Sequence, residues 1–350
     1  VVYDLIIVGA GPSGSVAATI AARLGLKTLV LEKSRKERDK FCGGGVTYGV
    51  EKFLVEHVSK EVSEAIELKI DGFIVFSPKG RELIIRYGEK LRKYGGLVRR
   101  SVFDKKLMEI AESEGAELKE KKTVTNVKKV DERVLVETLD SEKYESSYII
   151  LANGVQDRLG EKVGLPPLRV EQLGACWGTE CPYDMEKVFR LWSDRMSRPI
   201  FLFFGAAPTG YGWVFPKKGY LNIGIGTNLK YFKNHGKMFQ EFIEKAKKVR
   251  VLPGDLKVDY DRAWLIPFGD VPRKKTYSIE YRLLAVGDAA GFVHPVTGEG
   301  LYGAIYGAAI AAEIVKKALD KGEPEVLKEY KKIWWREFGE DMFYYGKKIA

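Results

Sequence analysis

The sequence predicts an α/β fold, α+β overall, in which a parallel-sheet domain is interrupted by an antiparallel sheet. Three observations predict it. An apolar run ending at Val8 opens into Gly9-Ala10-Gly11-Pro12-Ser13-Gly14 and a stretch of small helix-forming residues. A second apolar run, Leu283-Leu284-Ala285-Val286, opens into Gly287-Asp288 near the other end of the chain. Between them lie alternating, aromatic-rich segments with turn signals, the pattern of antiparallel strands.

Residues 3–8 read as a strand, 14–25 as a helix and 27–31 as a second strand, the βαβ opening of a Rossmann-like domain. A charged, then glycine-rich loop follows over 33–45. From Leu68 to Arg86 the pattern turns to strands, punctuated by Asp71-Gly72 and Ser77-Pro78-Lys79-Gly80. Ser101 and Asp104 have the spacing of a capping box, heading an amphipathic helix that runs to about Gly115. Strands follow near 122–130, 133–139 and 144–151. Residues 171–261 are mostly strand-like, with one helix near 234–250. The strand 282–286 leads through a loop to a long helix from Gly298 and a last helix over about 324–345.

These elements divide the chain. Residues 1–66, 97–170 and 262–322 form three parts of a cofactor domain, 67–96 and 171–261 two parts of an inserted substrate domain, and 323–350 a short C-terminal helix. The uncharged run from Pro199 to Pro216 holds three prolines and three glycines, so it reads as two strands and a turn, not a membrane helix.

A chain of 350 residues with 45% hydrophobic and 30% charged residues suits two intertwined globular domains. No signal peptide is expected ahead of the first strand, and the setting is read as cytoplasmic. Cys42, Cys176 and Cys181 have no metal-ligand spacing, so no metal is expected. Cys176 and Cys181 are candidates for a disulfide of the thermophile kind, which suits a chain with only three Gln and five Asn. The net charge of +10 reads as a solvated lysine-rich surface, or as attraction to an anionic lipid surface or an acidic electron carrier. The basic residues are scattered and no recognition motif accompanies them, so nucleic acid is not an expected partner.

The first glycine motif has a physical reading. Gly9 permits a tight turn, Gly11 lets the backbone approach a pyrophosphate, and Gly14 lets the helix pack close to the strand. The helix start at Pro12 and Ser13 faces the phosphates with free N–H groups, that of Ser13 among them. Glu32, at the end of the second strand, is positioned to accept the hydroxyls of an adenosine ribose, with Lys33 beside it. This much fits FAD or NAD. Gly287-Asp288 resembles the second fingerprint of flavoproteins, whose Asp holds the ribityl chain, and selects FAD. Gly298-Glu299-Gly300-Leu301 opens a helix whose free N–H groups suit negative charge on a reduced flavin. Ala152-Asn153-Gly154 resembles the turn by which flavoproteins return the chain past the cofactor. Val124 and Arg100 are expected beside it.

Three features narrow the resemblance. Lys40-Phe41-Cys42-Gly43-Gly44-Gly45 resembles the K-x-C-G-G segment of geranylgeranyl reductases. Pro208-Thr209-Gly210-Tyr211-Gly212-Trp213-Val214-Phe215-Pro216 matches their P-x-x-Y-x-W-x-F-P motif, and the order of the Gly-Asp and Gly-rich segments agrees. The resemblance covers roughly residues 1–320, with a shorter C-terminal region than the family usually carries. It is to archaeal geranylgeranyl reductases within the hydroxylase-like FAD superfamily. It implies reduction of isolated C=C bonds in prenyl chains of membrane-lipid precursors, with hydride from flavin N5 and a proton from the protein.

On a strand, Tyr211, Trp213 and Phe215 share one face, which suits the wall of an apolar cavity or a sheet core. The resemblance favours the cavity. It assigns Pro208, Tyr211, Trp213, Phe215 and Pro216 to the substrate, and Gly43 and Gly44 to the flavin. Cys42, Tyr211 and His294 are the candidate proton donors. Electrons are expected from a docked, ferredoxin-like carrier. Trp335, among Lys331, Lys332 and Arg336, is a candidate membrane anchor, making a peripheral contact at the inner face of the cell membrane. Flavin monooxygenases and halogenases share the fold and stay open as alternatives. So do a quinone-reducing flavoprotein and a non-catalytic flavin or prenyl-lipid carrier.

Overall fold

The computed structural model describes the chain except for residues 88–94, 156–157, 260–261, 269–272, 274 and 350, and the side chains of 347–349. Two large sheets organise it. The first runs, in spatial order, Tyr277–Ser278, Leu283–Ala285, Lys143–Leu151, Val2–Val8, Thr28–Leu31 and Glu117–Lys119. Val2–Val8 is parallel to both neighbours, with Ile6 opposite Ile149 on one side and Leu29 on the other. Leu5, Ile6 and Ile7 are fully buried, which is why this strand reads as a continuous apolar run. The antiparallel strands Val124–Val130 and Arg133–Thr138 extend from Lys143–Leu151.

Helices Pro12–Arg23, Arg100–Ser113 and Leu301–Lys321 pack with this sheet. Small residues let them come close: Ala17, Ala18 and Ala21 on one, Ala304, Ala308 and Ala311 on another, all buried. The capping box expected from Ser101 and Asp104 does not form. The helix starts at Arg100 with no side-chain cap, and the Asp104 carboxylate instead takes Arg100 one turn back, at 2.8 Å. Two helices were not legible in the sequence, Tyr48–His57 and Met185–Trp192, capped by Thr47 and Asp184.

The second sheet runs Arg262–Pro267, Leu173–Pro182, Tyr220–Asn228, Tyr211–Lys217, Pro199–Phe204, Gly72–Phe76 and Glu82–Arg86. Neighbours are antiparallel except where the two inserted pieces meet, Pro199–Phe204 lying parallel to Gly72–Phe76. The boundary expected at 261 lies outside the described residues. The next strand, Arg262–Pro267, pairs with Leu173–Pro182, so this sheet reaches further along the chain than expected. Met185–Trp192 and His235–Lys248 cover one face, burying Trp192, Phe239 and Phe242 against Phe201 and Phe203. A small sheet of Gly45–Val46, Gly96–Val98 and Ile66–Lys69 lies where the domains meet.

The last helix is not continuous. Lys328–Trp334 passes through a wide π-turn, Trp335–Gly339, into Glu340–Ile349. Leu327, Tyr330, Trp334 and Phe338 are buried, with Tyr330 donating to the Ala285 carbonyl at 3.0 Å. Trp335 is half-buried against Phe343, with ring centres 5.3 Å apart, so it is not the free anchor expected; Tyr344 and Tyr345 are the exposed rings here. Among the described residues no helix is long and apolar enough to cross a membrane. Among the described residues the cysteines form no disulfide. Cys176 and Cys181 share the strand Leu173–Pro182 at odd spacing, so they point to opposite faces and cannot pair.

Candidate active site

Strand Val2–Val8 ends in Gly9, at φ +98, where any side chain would lie 2.5 Å from the Ala152 carbonyl oxygen. Gly14 is equally constrained, because a Cβ there would meet the Gly9 oxygen at 1.9 Å. The backbone from Gly9 to Ser13 therefore forms an open cradle at the start of Pro12–Arg23. Glu32 is buried at the end of Thr28–Leu31. Its two oxygens accept from the Ala10 N–H at 2.7 Å and the Ser34 N–H at 2.9 Å. Arg38 reaches over the cradle, bonded to Asp104 at 2.9 Å, and its buried Nε makes no hydrogen bond but lies 4.0 Å from the Glu32 carboxylate. An unsatisfied guanidinium N–H beside bare glycine backbone fits an anionic ligand.

Lys33, Val124, Ala152, Asn153 and Gly154 line the same cavity. Arg100 lies buried against Asp104 and the Cys42 side chain. Burial works against its charge, but Asp104 and Cys42 outweigh it and hold the guanidinium above its ordinary range.

The opposite wall is the Gly287-Asp288 turn and the loop to Leu301. Gly287, at φ +58, packs so closely on Ser13 that a Cβ would lie 2.8 Å from the hydroxyl. Asp288 pairs with Lys40 at 2.8 Å, both largely buried. Gly298, Gly300 and Leu301 border the cavity, with Glu299 between them. Burial raises the Glu299 carboxyl, against the lowering effect of the Tyr302 and Leu301 N–H groups.

The third wall is apolar. Tyr211, Trp213 and Phe215 project from Tyr211–Lys217 into a cavity of about 620 Å³, with Phe73, Ile200 and Trp264 around them. Tyr211 donates its hydroxyl to the Thr297 carbonyl, joining the sheet to the Gly298 loop. Burial, then Cys176 and Cys42, pushes its phenol up. Cys176 also borders the cavity, and burial pushes its thiol up to about 12.

The Cys42-Gly43-Gly44 loop stands where the three walls meet. A side chain at Gly43 would meet the Phe215 ring at 2.7 Å. Gly44, at φ +74, would drive a Cβ to 2.2 Å from the Val98 oxygen. The loop is held from below by a buried polar cluster. Asn222 donates to the Cys42 carbonyl at 3.2 Å and to Glu180 at 3.0 Å, and accepts from Trp213 Nε1 at 2.7 Å. Lys217, 1% exposed, reaches the same carbonyl and Glu180, each at 3.4 Å.

The structure thus brings most of the expected residues to one cavity. Gly14 and Gly287 do not border it and act through packing. Pro208 is exposed and Pro216 is buried away from the cavity, so neither contributes to its wall. His294 is displaced from the expected set of proton donors. Its Nδ1 faces the N–H groups of Val296 and Thr297, at 3.3 Å each, and its Nε2 faces Asp341 at 3.7 Å, outside the cavity. Arg38, Lys40, Cys176, Lys217, Asn222 and Glu299 were missed. Lys217 had a signal: it continues the odd-numbered stripe of Tyr211, Trp213 and Phe215. Among the described residues no group of side chains could hold a metal ion.

Comparison with known proteins adds to this geometry. The FAD binding domain family matches residues 2–334. The digeranylgeranylglycerophospholipid reductase of Methanocaldococcus jannaschii is 33% identical over 340 residues, 95% of this chain and 82% of the relative. That of Thermoplasma volcanium is 29% identical over 346 residues, 95% of this chain and 83% of the relative. The crystal structure of a geranylgeranyl bacteriochlorophyll reductase-like protein from Thermoplasma acidophilum superposes with a TM-score of 0.83 at 26% identity, covering 99% of this chain and 87% of that one. A myxobacterial chondrochloren halogenase has the same fold, with a TM-score of 0.78 at 20% identity, over 98% of this chain and 81% of its own.

Proposed function

Because the chain belongs to the FAD binding domain family, and within it to the digeranylgeranylglycerophospholipid reductases, we propose that it reduces isolated C=C bonds in geranylgeranyl chains of membrane-lipid precursors. The observation that carries the reading is the shared cavity. The cradle of Gly9, Gly11 and Glu32 opens into the same space as the aromatic wall of Tyr211, Trp213 and Phe215, with Cys42 at the junction.

The residues present fit FAD. Gly9, Gly11, Pro12 and Ser13 allow close backbone approach to a pyrophosphate, and Arg38 offers a buried N–H that makes no hydrogen bond. Glu32 and Lys33 suit the ribose end, and Asp288 the ribityl chain. Gly43, Gly44, Gly298 and Gly300 leave room for a flat ring system. When bound and reduced, FAD supplies the hydride for one alkene carbon.

The protein has three further tasks. The apolar wall holds a prenyl chain and excludes water. Cys42 supplies the proton for the other carbon, because it stands at the junction of cradle and wall. Tyr211 is less suited, since its hydroxyl proton is engaged by Thr297 and burial pushes the phenol up. Lys217 and Asn222 fix the Cys42 loop from behind. Electrons come from a docked ferredoxin-like carrier, which the positive charge would attract.

The test is anaerobic. Protein carrying chemically reduced FAD is mixed with a digeranylgeranylglycerol lipid, and the flavin spectrum is followed. Return of the oxidised spectrum in step with added lipid supports the reading. A spectrum that returns only with oxygen points to monooxygenase or halogenase chemistry.

A further inference from the structure

The sheet face that walls the cavity continues beyond it. Register fixes which side chains share that face. Ile200 stands opposite Phe73 and Leu202 opposite Val75. Phe73 and Val75 in turn stand opposite Ile85 and Leu83. Ile200, Leu202 and Phe73 line the cavity. Leu83 and Ile85 lie past it, 58% and 40% exposed, on the same face. They belong to Glu82–Arg86, the edge strand of the sheet.

An exposed apolar edge is a feature that proteins ordinarily blunt, and a contiguous apolar strip marks a contact surface. This strip is rimmed by cations. Lys79 and Arg81 stand exposed in the turn before the strand, and Arg86 at its far end. Its one acidic member, Glu82, is taken by Arg195 at 3.0 Å.

We propose that the edge strand Glu82–Arg86 rests on a bilayer surface carrying anionic phospholipids, and that a prenyl chain passes from the bilayer along this sheet face into the cavity. The proposal rests on the reductase reading for its substrate, and on the strip itself for its place. Apolar side chains flanked by lysine and arginine match the layering of a lipid interface, where aliphatic groups enter the acyl region and cations meet phosphate. Ile85, Phe73 and Ile200 give a chain leaving the bilayer continuous apolar contact up to Phe215. This surface takes the place of the C-terminal helix, whose tryptophans are engaged by neighbouring rings.

Flotation of the FAD-loaded protein with vesicles tests the docking without turnover. The vesicles are phosphatidylglycerol mixed with phosphatidylcholine, with pure phosphatidylcholine as the contrast, both at low salt. The protein should float with the anionic vesicles and stay behind with the neutral ones. Lys79→Glu with Arg81→Glu should weaken vesicle binding by about tenfold or more. Leu83→Gln with Ile85→Gln should do the same, and FAD absorbance shows that each variant is folded. The Lys79 and Arg81 variant should still reduce detergent-dispersed geranylgeraniol while losing turnover of vesicle-embedded lipid, so failure of the reductase reading shows separately as no turnover in either form. No flotation, or flotation unchanged in both variants, overturns the proposal. A dimer in light scattering that either variant dissociates, with vesicle binding untouched, overturns it in favour of a second copy at this edge.

Discussion

The side-chain amide of Asn222 donates to the backbone carbonyl of Cys42 across 3.2 Å, tying together residues 180 apart in the chain. The same side chain serves Glu180 and Trp213, so three partners lose a bond if it is removed. Asn222→Leu should lower unfolding stability by about 1–3 kcal/mol, the cost of leaving buried polar groups unpaired. Denaturant titration measures it. Reduction activity should also fall, because the Cys42 loop loses its support. Unchanged stability would mean that Lys217 alone holds the loop.

Glu32 should matter to FAD affinity more than to folding. Its carboxylate lies at the floor of the cradle, held by Ala10 and Ser34. Glu32→Ala should weaken FAD binding by on the order of 1–3 kcal/mol, as for loss of charged hydrogen bonds. Titration of the apoprotein with FAD, followed by flavin fluorescence, reads this directly. Unaltered affinity would place the ribose elsewhere.

His294 should act as a stability switch and not as an acid in the reaction. Burial lowers its pKa, outweighing the raising effect of Asp341. The neutral ring can accept from Val296 and Thr297 at Nδ1; the protonated ring cannot. Between the lowered folded value and the ordinary value of 6.5, the unfolded chain binds more protons than the folded one. Stability therefore rises with pH across that window and falls on acidification. Melting temperatures from pH 5 to 7 should show that slope, and His294→Leu should flatten it. An identical slope in the variant would assign it to another group.

Cys42→Ala separates chemistry from cofactor binding. The cradle contacts lie on other residues, so FAD content and folding should be nearly native. Alkene reduction by the pre-reduced protein should fall by about tenfold or more, since loss of a general acid typically costs 10²–10⁴-fold. Full activity with the native product would transfer the role to Tyr211 or Cys176.

Much of this arrangement was legible because it is local. Strand, glycine turn and helix follow one another from Val2 to Arg23, and Glu32 ends the next strand, so sequence order alone assembles that corner. Tyr211, Trp213 and Phe215 alternate on one strand, which fixes their common face. What escaped depends on distant partners. Asp104 resembled a cap until Arg38, 66 residues away, and Arg100 competed for its carboxylate. Asn222 and Lys217 gain their meaning only from the Cys42 carbonyl. His294 adjoins the Gly298 turn in sequence, yet its ring is directed toward Asp341 on the last helix. The free edge Leu83–Ile85 reads as an ordinary strand until the sheet order places nothing described beyond it.

Mass spectrometry of the lipid product decides whether this protein reduces prenyl C=C bonds. The FAD-loaded protein is reduced under anaerobic conditions and given digeranylgeranylglycerol lipid, and the product is weighed. The product should gain two hydrogens for each bond reduced, with no other atom added. Recovery of unaltered lipid from a protein whose flavin is fully reduced, or a product carrying oxygen or halogen once air is admitted, would contradict it.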